Sequence, residues 1–498
     1  MDKDIIIALD EGTSNAKAMA IDFEGNIITS HSLPLSILTP NEGWVEQDAR
    51  LLINASYSVI SKVISDIEPE RIAGLAISVQ RETAVGWYRS NGEPLNAAIT
   101  WQCSRTAEFC ESLRRDNLSE KIRSITGLPV APLFSASKFK WLLESVPNGV
   151  ELAKNGDICL GTVDSWLLWN LTGGKEFSCD YSNASRTQLL NIHTHHWDTE
   201  LIKVFGIPES SLPGIKPSSG IFGYTNGNEN IPDGIPILSM IGDSHAALFG
   251  HRFGEMGCVK ATYGTGSSVM APVTNVCSNI KSLASTIAWH DGHSVIYGLE
   301  GNIPHTGDGV AWMTEVTGLD SISKQELSEQ LNSLPASVES TLGVYFIPAL
   351  TGLGAPWWDD SARGVITGLS RGVERAHLIR ASLEAITYQI ADVITAMKQH
   401  SDFEFISLMV DGGPTKNDWL MQYQADLLGV SVLRSNVTEL SAIGAALLAL
   451  KAISEQQFEI ARNSVSNHFE FKPNMERHER LQKRWAEWRS VLKNTLSK

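Results

Sequence analysis

Two aspartates and three glycine-rich turns are the residues of this sequence best suited to carry chemistry. Asp10 and Asp243 each end an apolar run beside small residues, and the turns span residues 10–15, 262–268 and 411–415. Glycine turns between strands expose backbone N–H groups that can cradle phosphate oxygens. Two carboxylates facing such a cradle can hold Mg²⁺ and accept a proton from an attacking hydroxyl. The combination predicts a site for phosphoryl transfer.

Hydroxyl side chains in the same turns would add hydrogen-bond donors for phosphate oxygens. They belong to Thr13, Ser14 and Thr265, and Asn417 stands just past the third turn, where an adenine and a ribose could bind. A single turn with Gly and Thr is usually only a turn, and an Asp beside Gly is usually a turn or cap residue. The prediction therefore depends on three such turns following strands in one chain.

A polar segment follows the apolar run from Ile72 to Val79. Arg81 can donate hydrogen bonds and Glu82 can accept them, so the pair is suited to bind substrate hydroxyls. The alternative is an ion pair within the protein. Trp101 could offer a flat apolar wall to a carbon chain, although such a residue is more often part of the core.

Residues 242–246, Gly-Asp-Ser-His-Ala, support a competing prediction. They resemble the nucleophile elbow of serine hydrolases, with Ser244 as the nucleophile. That alternative leaves the three glycine turns without a role, so we treat it as the weaker one.

The first two turns join the strands of hairpins. Residues 5–9 form an apolar run before the turn at 10–15, and residues 18–21 resume a strand. A P-loop or a dinucleotide fold would instead continue its glycine loop into a helix. Residues 257–261 and 269–270 flank the second turn in the same way, which predicts an internal duplication.

Later segments alternate helices with strands. Apolar residues between 383 and 397 fall on one helical face, a strand spans 406–410, and an apolar helix begins near Ser441. Trp485 and Trp488 would pack from one face of a terminal helix. A chain of 498 residues is too long for one core, so we expect two domains, 1–250 and 251–498.

Composition narrows the partners and the compartment. The net charge of -16 argues against nucleic acid as a partner. No CxxC pair or zinc spacing occurs, which is typical of reduced thiols in the cytosol. The cysteines are Cys103, Cys110, Cys159, Cys179, Cys258 and Cys277. The first residues lack the features of a signal peptide, and no apolar run approaches the ~20 residues of a membrane span. We predict a cytoplasmic protein without membrane insertion.

Beyond these features, the chain resembles the FGGY carbohydrate kinases, and glycerol kinases most closely, along nearly its whole length. The resemblance is carried by short blocks that follow one another as in the family: 9–14 (LDEGTS), 43–48 (GWVEQD), 80–83 (QRET), 164–166 (DSW), 180–187 (DYSNASRT), 242–243 (GD), 262–266 (TYGTG), 351–356 (TGLGAP) and 411–413 (DGG). It implies an α/β fold of two actin-like, ribonuclease-H-like domains, with ATP and a small polyol or sugar bound in the interdomain cleft. Many relatives form dimers or tetramers, so it also implies a homodimer or homotetramer.

The resemblance further implies roles for individual residues. Asp243 would be the general base, and Asp10 would lie with it beside the magnesium ion. The residues implied to contact ATP are Thr13, Ser14, Asn15 and Lys17 (where glycerol kinases carry Arg), Thr265 and Gly307 at the phosphates, and Gly413 and Asn417 at the adenosine. Arg81, Glu82 and Trp101 would bind the polyol.

Three departures from glycerol kinases fall in the implied substrate pocket. Leu133 replaces a Tyr, Ser244 a Gln and Ser268 a Phe, and each change makes the side chain smaller. One lost hydroxyl contact in a buried site costs about 1–3 kcal/mol. We therefore expect a polyol or ketose of four to six carbons, with glycerol as the alternative. Ala311 replaces a Gln that glycerol kinases often carry near the nucleotide, which would remove one ATP contact.

Two alternatives from other classes use the same fold. A non-catalytic sugar sensor would not need a base at Asp243, and an actin-like ATPase would need no sugar pocket. The presence of both Asp10 and Asp243 argues against the sensor.

Overall fold

Two mixed β-sheets, one in each half of the chain, form the frame of the computed structural model. The structure describes residues 3–252, 255–276, 280–359, 361–401, 403–437, 439–465 and 467–496. Cys277 lies outside the described residues. Buried thiols are found at Cys103, Cys110, Cys159 and Cys179.

The N-terminal half contains β1 to β14 and α1 to α9. Its strands are β1 (Ile5–Glu11), β2 (Asn15–Asp22), β3 (Ile27–Pro34), β4 (Glu46–Gln47), β5 (Ile72–Val79), β6 (Ala84–Tyr88), β7 (Ala98–Ile99), β8 (Ile158–Thr162), β9 (Ser178–Asp180), β10 (Leu190–Asn191), β11 (His196–Trp197), β12 (Gly214–Lys216), β13 (Ser219–Tyr224) and β14 (Pro236–Gly242). Its helices are α1 (Ala49–Ser65), α2 (Ala107–Arg115), α3 (Ser119–Thr126), α4 (Ser135–Glu144), α5 (Gly149–Lys154), α6 (Val163–Leu171), α7 (Tyr181–Ala184), α8 (Thr199–Phe205) and α9 (Asp243–Arg252).

The C-terminal half contains β15 to β23 and α10 to α16. Its strands are β15 (Cys258–Tyr263), β16 (Ser267–Val273), β17 (Ala284–His290), β18 (Val295–Ile303), β19 (Tyr345–Ile347), β20 (Val365–Thr367), β21 (Ser407–Asp411), β22 (Ser431–Ser435) and β23 (His468–Phe471). Its helices are α10 (Gly307–Val316), α11 (Lys324–Ala336), α12 (Arg375–Met397), α13 (Asp418–Leu428), α14 (Leu440–Ile453), α15 (Glu455–Val465) and α16 (Met475–Lys493).

The two large sheets repeat one arrangement of strands. The order is β13-β14-β5-β1-β2-β3 in the N-terminal half and β17-β18-β16-β15-β21-β22-β23 in the C-terminal half. Each sheet has an antiparallel hairpin, β1–β2 or β15–β16, whose first strand pairs in parallel with β5 or β21. The next strand, β14 or β22, continues in parallel. The duplication predicted from two glycine turns is therefore present in the fold.

Helices cover both faces of the N-terminal sheet, as buried parallel strands require. Helix α1 packs on one face, and α14 from the C-terminal half packs on the other, against Ile6, Ala8 and Met19. The close approach of α14 to α9 depends on Gly444, because a Cβ atom there would lie 1.9 Å from the backbone oxygen of Ala246. The small residues of α14 thus serve close helix packing.

The terminal helix α16 packs through the two tryptophans predicted for that role. The indole N–H of Trp488 donates to the backbone oxygen of Phe346 at 2.8 Å, and that of Trp485 donates to Asp392 at 3.0 Å. None of the helices in the described ranges is long and apolar enough to span a bilayer.

Candidate active site

The second and third glycine turns lie against each other in the C-terminal half. Gly412 has a φ of 95°, and a Cβ atom there would lie 2.0 Å from the backbone oxygen of Tyr263. A Cβ atom on Gly307 would lie 2.4 Å from the backbone oxygen of the residue before Thr265. Only glycine allows such contacts. The structure thus brings Thr265, Gly307 and Gly413 together in one cradle, as a nucleotide site would require.

Helix α10 begins inside this cradle. The N–H groups of residues 306 to 308 donate to the oxygens of Gly264 and Thr265 at 3.0 or 3.1 Å. Because these donors hold the turn, a phosphate would be met by other N–H groups of the turn and by the positive end of the α10 dipole. Ala311 lies exposed one turn along α10, where its methyl group offers no polar contact.

Asn417 is engaged within the protein. Its side-chain oxygen caps α13 by accepting from the N–H of Leu420 at 2.9 Å, and its amide nitrogen donates to the backbone oxygen of Leu331 at 2.8 Å. The side chain therefore ties α13 to α11, and a direct contact with adenosine stays a prediction. Gly413, by contrast, is exposed, and no atom lies within 4 Å of the position of a Cβ.

Asp10 and Asp243 end two strands that flank β5. The strands β1, β5 and β14 are parallel, and their register pairs Asp10 with Ser78 and Gly242 with Val79. The carboxyl ends of parallel strands meet at one edge of a sheet, so both aspartates lie at that edge, as does the segment that follows β5. Asp10 also accepts a hydrogen bond from the Ser78 hydroxyl at 2.8 Å.

The pKa of each aspartate is raised above its usual range. Burial raises the pKa of Asp10 to about 7, and the negative charges of Asp243 and Glu439 add to the effect. Burial also raises the pKa of Asp243, against the opposing charge of Arg81. A carboxylate with a raised pKa is a better proton acceptor, which is what a general base requires.

The first glycine turn contacts residues predicted to bind the substrate. The Thr13 hydroxyl accepts from the Trp101 indole N–H at 2.9 Å and donates to Gln80 at 3.3 Å. Ser14 and Asn15 are exposed at the tip of the turn. Lys17, opposite Asp10 in the hairpin, forms an ion pair with Glu439 of the C-terminal half. Phosphate contacts by these residues stay predictions.

A buried lysine that the sequence analysis missed joins two predicted pocket residues. Lys138 on α4 donates to the backbone oxygens of Leu133 at 2.6 Å and Glu82 at 3.2 Å. Burial lowers the pKa of Lys138 to about 7. Glu82 has a φ of 61°, and Ser135 also donates to its backbone oxygen at 3.1 Å. The only sequence signal was a lysine between Ser137 and Phe139.

Arg81 and Glu82 are both in ion pairs, although not with each other. Arg81 donates to Glu300 through both terminal nitrogens, at 2.8 and 3.2 Å, and Glu82 pairs with Arg186. The ion-pair alternative is thus correct in part, with partners that the sequence analysis did not identify. The signal for Glu300 was one acidic residue between Leu299 and Gly301 in an apolar strand.

The three residues that depart from glycerol kinases surround the Arg81–Glu82 segment. Ser268 donates to Glu300, the partner of Arg81, at 3.3 Å. Ser244 follows Asp243 directly, and its N–H donates to that carboxylate. Leu133 shares Lys138 with Glu82 and packs beside an apolar cluster that contains Phe134. All three are half-buried.

The serine-hydrolase alternative finds no support. His245 is fully buried, neither ring nitrogen has a hydrogen-bond partner, and burial lowers its pKa well below the usual range. In the described part of the chain, no histidine hydrogen-bonds to Ser244, so no base is placed to activate that hydroxyl.

A magnesium ion fits the oxygen donors at this edge of the sheet. The described residues contain no group of three or more His, Cys, Asp and Glu side chains arranged to hold a metal. Mg²⁺ needs no such group, because it is usually bound by one or two carboxylates together with water and substrate phosphates. Asp10 and Asp243 supply two carboxylates, and the charge of Asp243 adds to the burial that raises the pKa of Asp10.

Comparison with known proteins agrees with this geometry. Residues 5–250 match the N-terminal domain, and residues 259–453 the C-terminal domain, of the FGGY family of carbohydrate kinases. The apulose kinase of Pectobacterium atrosepticum is 44% identical over 477 residues, covering 93% of this chain and 95% of that protein. The glycerol kinase of Burkholderia cenocepacia is 41% identical over 497 residues, covering 99% and 98%.

A solved structure matches the whole fold. The glycerol kinase of Plasmodium falciparum, crystallised with ADP, superposes with a TM-score of 0.91 at 30% sequence identity, and the match covers 100% of this chain and 99% of that one. The predicted α/β fold with two domains is thereby confirmed. Taken with the converging turns and the paired aspartates, these matches show that the chain belongs to the FGGY family of carbohydrate kinases.

Proposed function

We propose that this carbohydrate kinase transfers the γ-phosphoryl group of ATP to a hydroxyl of a polyol or ketose with four to six carbons. The observation that carries the proposal is that charged and small side chains lie together. Arg81 lies 3.5 Å from Asp243, and the half-buried Ser268 donates to Glu300, the partner of Arg81. Because Leu133 and Ser268 stand where glycerol kinases carry larger side chains, we expect space for an acceptor longer than three carbons.

The nucleotide would lie in the cradle of glycine turns. The Plasmodium falciparum relative was crystallised with ADP, which supports ATP as the donor. The phosphates would extend towards Thr13, Ser14 and Lys17 at the first turn. Mg²⁺ held by Asp10 and Asp243 would neutralise phosphate charge, the main contribution of a metal in such reactions.

The acceptor hydroxyl would lie beside Asp243. Arg81 holds its Nε 3.5 Å from this carboxylate, so a hydroxyl between the two would meet a donor and an acceptor at once. Asp243 would take the proton as the hydroxyl attacks, and its raised pKa suits that task. Trp101, 39% exposed, would cover the carbon chain from the side of the first turn.

Apulose, a ketose of five carbons, is our leading candidate. The named activity of the Pectobacterium relative supports it, at 44% identity along nearly the whole chain. Glycerol is the second candidate, because several glycerol kinases are 41% or 42% identical over comparable lengths. The two differ in size, and the smaller side chains of Leu133, Ser244 and Ser268 favour the larger acceptor.

A panel of acceptors in a coupled assay for ADP tests the proposal. Apulose, four- to six-carbon polyols, other ketopentoses and glycerol would be compared by kcat/KM at fixed ATP and Mg²⁺. We expect kcat/KM for a ketopentose or a larger polyol to exceed that for glycerol by at least about tenfold. A factor of this size corresponds to the loss of one buried contact. The highest kcat/KM with glycerol would refute the enlarged pocket and establish the second candidate.

Two arms of the same assay separate the other classes. ADP release that needs no acceptor would indicate an ATPase. Binding of a sugar by calorimetry without turnover would indicate a sensor. We expect neither, since the Asp243 base and the Arg81–Glu82 segment are both in place.

A further inference from the structure

A buried chain of alternating charges connects the two halves of the molecule behind the substrate pocket. Its members, in order of contact, are Glu82, Arg186, Glu300, Arg81 and Asp243. The first four side chains are at most 9% exposed, and Asp243 is 36% exposed towards the cleft. Glu300 comes from β18 in the C-terminal half, whereas the other four come from the N-terminal half.

Glu300 holds the centre of this chain. One carboxylate oxygen accepts from the Nη2 of Arg81 at 2.8 Å and from the Ser268 hydroxyl at 3.3 Å. The other accepts from the Nη1 of Arg81 at 3.2 Å and lies 2.6 Å from the Nη1 of Arg186. Burial alone would raise the pKa of Glu300, but Arg186 and Arg81 outweigh it and hold the pKa below its usual range. The carboxylate is therefore charged between two guanidinium groups.

This contact fixes the plane of the Arg81 guanidinium. A bidentate pair between Arg and a carboxylate defines both the position and the plane of the guanidinium. With both terminal nitrogens held by Glu300, the Nε is left facing Asp243 at 3.5 Å. Arg81 has five N–H groups and Glu300 takes two of them, so others would be available to the acceptor. Small errors in such alignment cost large factors in rate.

We propose that Glu300 is a positioning residue that aligns Arg81 for the acceptor and for Asp243, and that it does so only when the two halves of the chain are in contact. The proposal rests on the proposed function, because Arg81 is taken to bind the acceptor. The alternative is that Glu300 only neutralises two buried arginines and affects stability alone.

Glu300→Gln separates these roles. The amide keeps the length of the side chain but loses its charge and turns an N–H towards an arginine. With apulose and with glycerol as acceptors, we expect kcat/KM for the acceptor to fall about tenfold to a hundredfold, the loss of a charged hydrogen bond. KM for ATP should change less than about threefold, because the nucleotide cradle is untouched.

The pH profile provides a readout that a stability effect would not move. The charged groups around Asp243 are Arg81, Glu82, Lys260, Asp10 and Glu11. Without the Glu300 charge, Arg81 would act more strongly on Asp243. The acidic limb of the kcat/KM profile should therefore move to lower pH in Glu300→Gln. Glu300→Asp keeps the charge but shortens the side chain. It should therefore lower kcat/KM for the acceptor and leave the acidic limb of the pH profile at the wild-type pH.

Glu384→Gln is a matched control. Glu384 is also buried between two arginines, Arg380 and Arg484, each at 2.9 Å, but it lies on α12 away from the aspartates. This variant should lose thermal stability and keep both the acceptor kcat/KM and the pH profile.

The possible failures are distinguishable. If Asp243→Asn remained active, the proposed function itself would be wrong. Suppose instead that Asp243→Asn is inactive, while Glu300→Gln folds and keeps the wild-type kcat/KM and pH profile. Only the positioning role of Glu300 would then be wrong. Should Glu300→Gln not fold, a wild-type acceptor kcat/KM in Glu300→Asp would overturn the proposal, and a selective loss would support it.

Discussion

Asp243 is the residue on which the proposed reaction depends most. It begins α9 at the edge of the N-terminal sheet, its carboxylate is 36% exposed to the cleft, and its pKa is raised by burial. Its carboxylate lies 3.5 Å from the Nε of Arg81 and accepts from the N–H of the next residue, while its backbone oxygen accepts from the Ser441 hydroxyl at 3.2 Å. The carboxylate thus has little to do for stability and is free to receive a proton.

Asp243→Asn should separate binding from turnover. The amide keeps the shape of the side chain but cannot accept the proton, so we expect kcat to fall by roughly 10²- to 10⁴-fold. Acceptor affinity, measured by calorimetry, should change less than about tenfold because Arg81 and Glu82 remain. Turnover comparable to the wild type would exclude Asp243 as the base.

Substitution of Asp10 should have opposite effects on stability and on activity. Its pKa is raised from 3.8 to about 7, so the folded protein binds this proton more tightly than the unfolded chain does. The resulting stability is present at low pH and is lost as the pH rises through about 7. Asp10→Asn should therefore melt higher than the wild type at about pH 8 in metal-free buffer, with a smaller difference at about pH 5. Scanning fluorimetry measures this.

The same variant should lose activity, since it removes a carboxylate from the proposed magnesium site. Protons and Mg²⁺ would compete for Asp10 at that site, so the apparent affinity for Mg²⁺ should rise with pH up to about 7 and then level. An affinity for Mg²⁺ that did not depend on pH would mean that Asp10 is not a metal ligand.

At this scale the sequence predicted the residues better than their partners. Asp10, Arg81 and Asp243 were recognisable because each follows an apolar run. Glu300 and Lys138 were not, because the sequence around a single charged residue gives no indication of what its side chain meets across the fold. Asn417 was recognised as polar and near the cradle, but its bonds to α11 and α13 depend on packing.

The glycine turns act at the scale of elements. The turn after β15 is held between the start of α10 and the turn after β21, with backbone atoms in contact at Gly307 and Gly412. These contacts set the distances between the two turns and the start of α10. The cradle therefore requires glycine, which has no side chain, at both positions.

Gly412→Ala should weaken the binding of the nucleotide. The new Cβ would lie 2.0 Å from the Tyr263 oxygen, which forces the third turn away from the second. We expect KM for ATP to rise about tenfold or more, because loop displacement of about 1 Å is costly for positioned groups. KM for the acceptor should change little.

Gly343→Ala is the control for backbone strain. Gly343 has a φ of 85°, close to that of Gly412, but a Cβ atom there would meet nothing within 4 Å. It should lose about 1 kcal/mol of stability with no change in KM for ATP. Equal nucleotide effects in the two variants would show that strain, and not the contact, governs the cradle.

Elements with a clear period were predictable from the sequence. The hairpin at 5–21 and the helix at 383–397 lie within β1–β2 and α12, and the strand predicted at 406–410 is offset by one residue from β21. The order of strands in the two sheets was not predictable, because pairing between strands distant in sequence depends on contacts that no local pattern records. The two similar glycine turns were the one indication in the sequence that the two sheets share an arrangement of strands.

At the scale of the whole molecule, the two halves are not independent. The domain limits of 1–250 and 251–498 remain our proposal for the chain, yet α14 from the second half covers the sheet of the first. Arg81, Lys17 and Ser219 also bond to groups of the C-terminal half. One face of the N-terminal sheet is therefore covered by the N-terminal half itself, and the other is covered by a helix of the C-terminal half.

Residues 1–250 expressed alone should not form a stable monomer. Without α14 and α15, the apolar face around Ile6, Ala8 and Met19 would be exposed to water. We expect aggregation or binding of an apolar dye, and rescue when residues 439–465 are fused through a flexible linker. A soluble fragment 1–250 that melts as high as the fused form would contradict this account.

The return of α14 to the first sheet has a consequence for biosynthesis. The ribosome delivers the strands of the N-terminal sheet early, but the helix that covers one of its faces emerges only after the strands β15 to β22. Throughout that interval the nascent chain presents an unfinished apolar surface. This kinase is therefore expected to need shelter by chaperones while it is being made, and slower elongation would prolong that need.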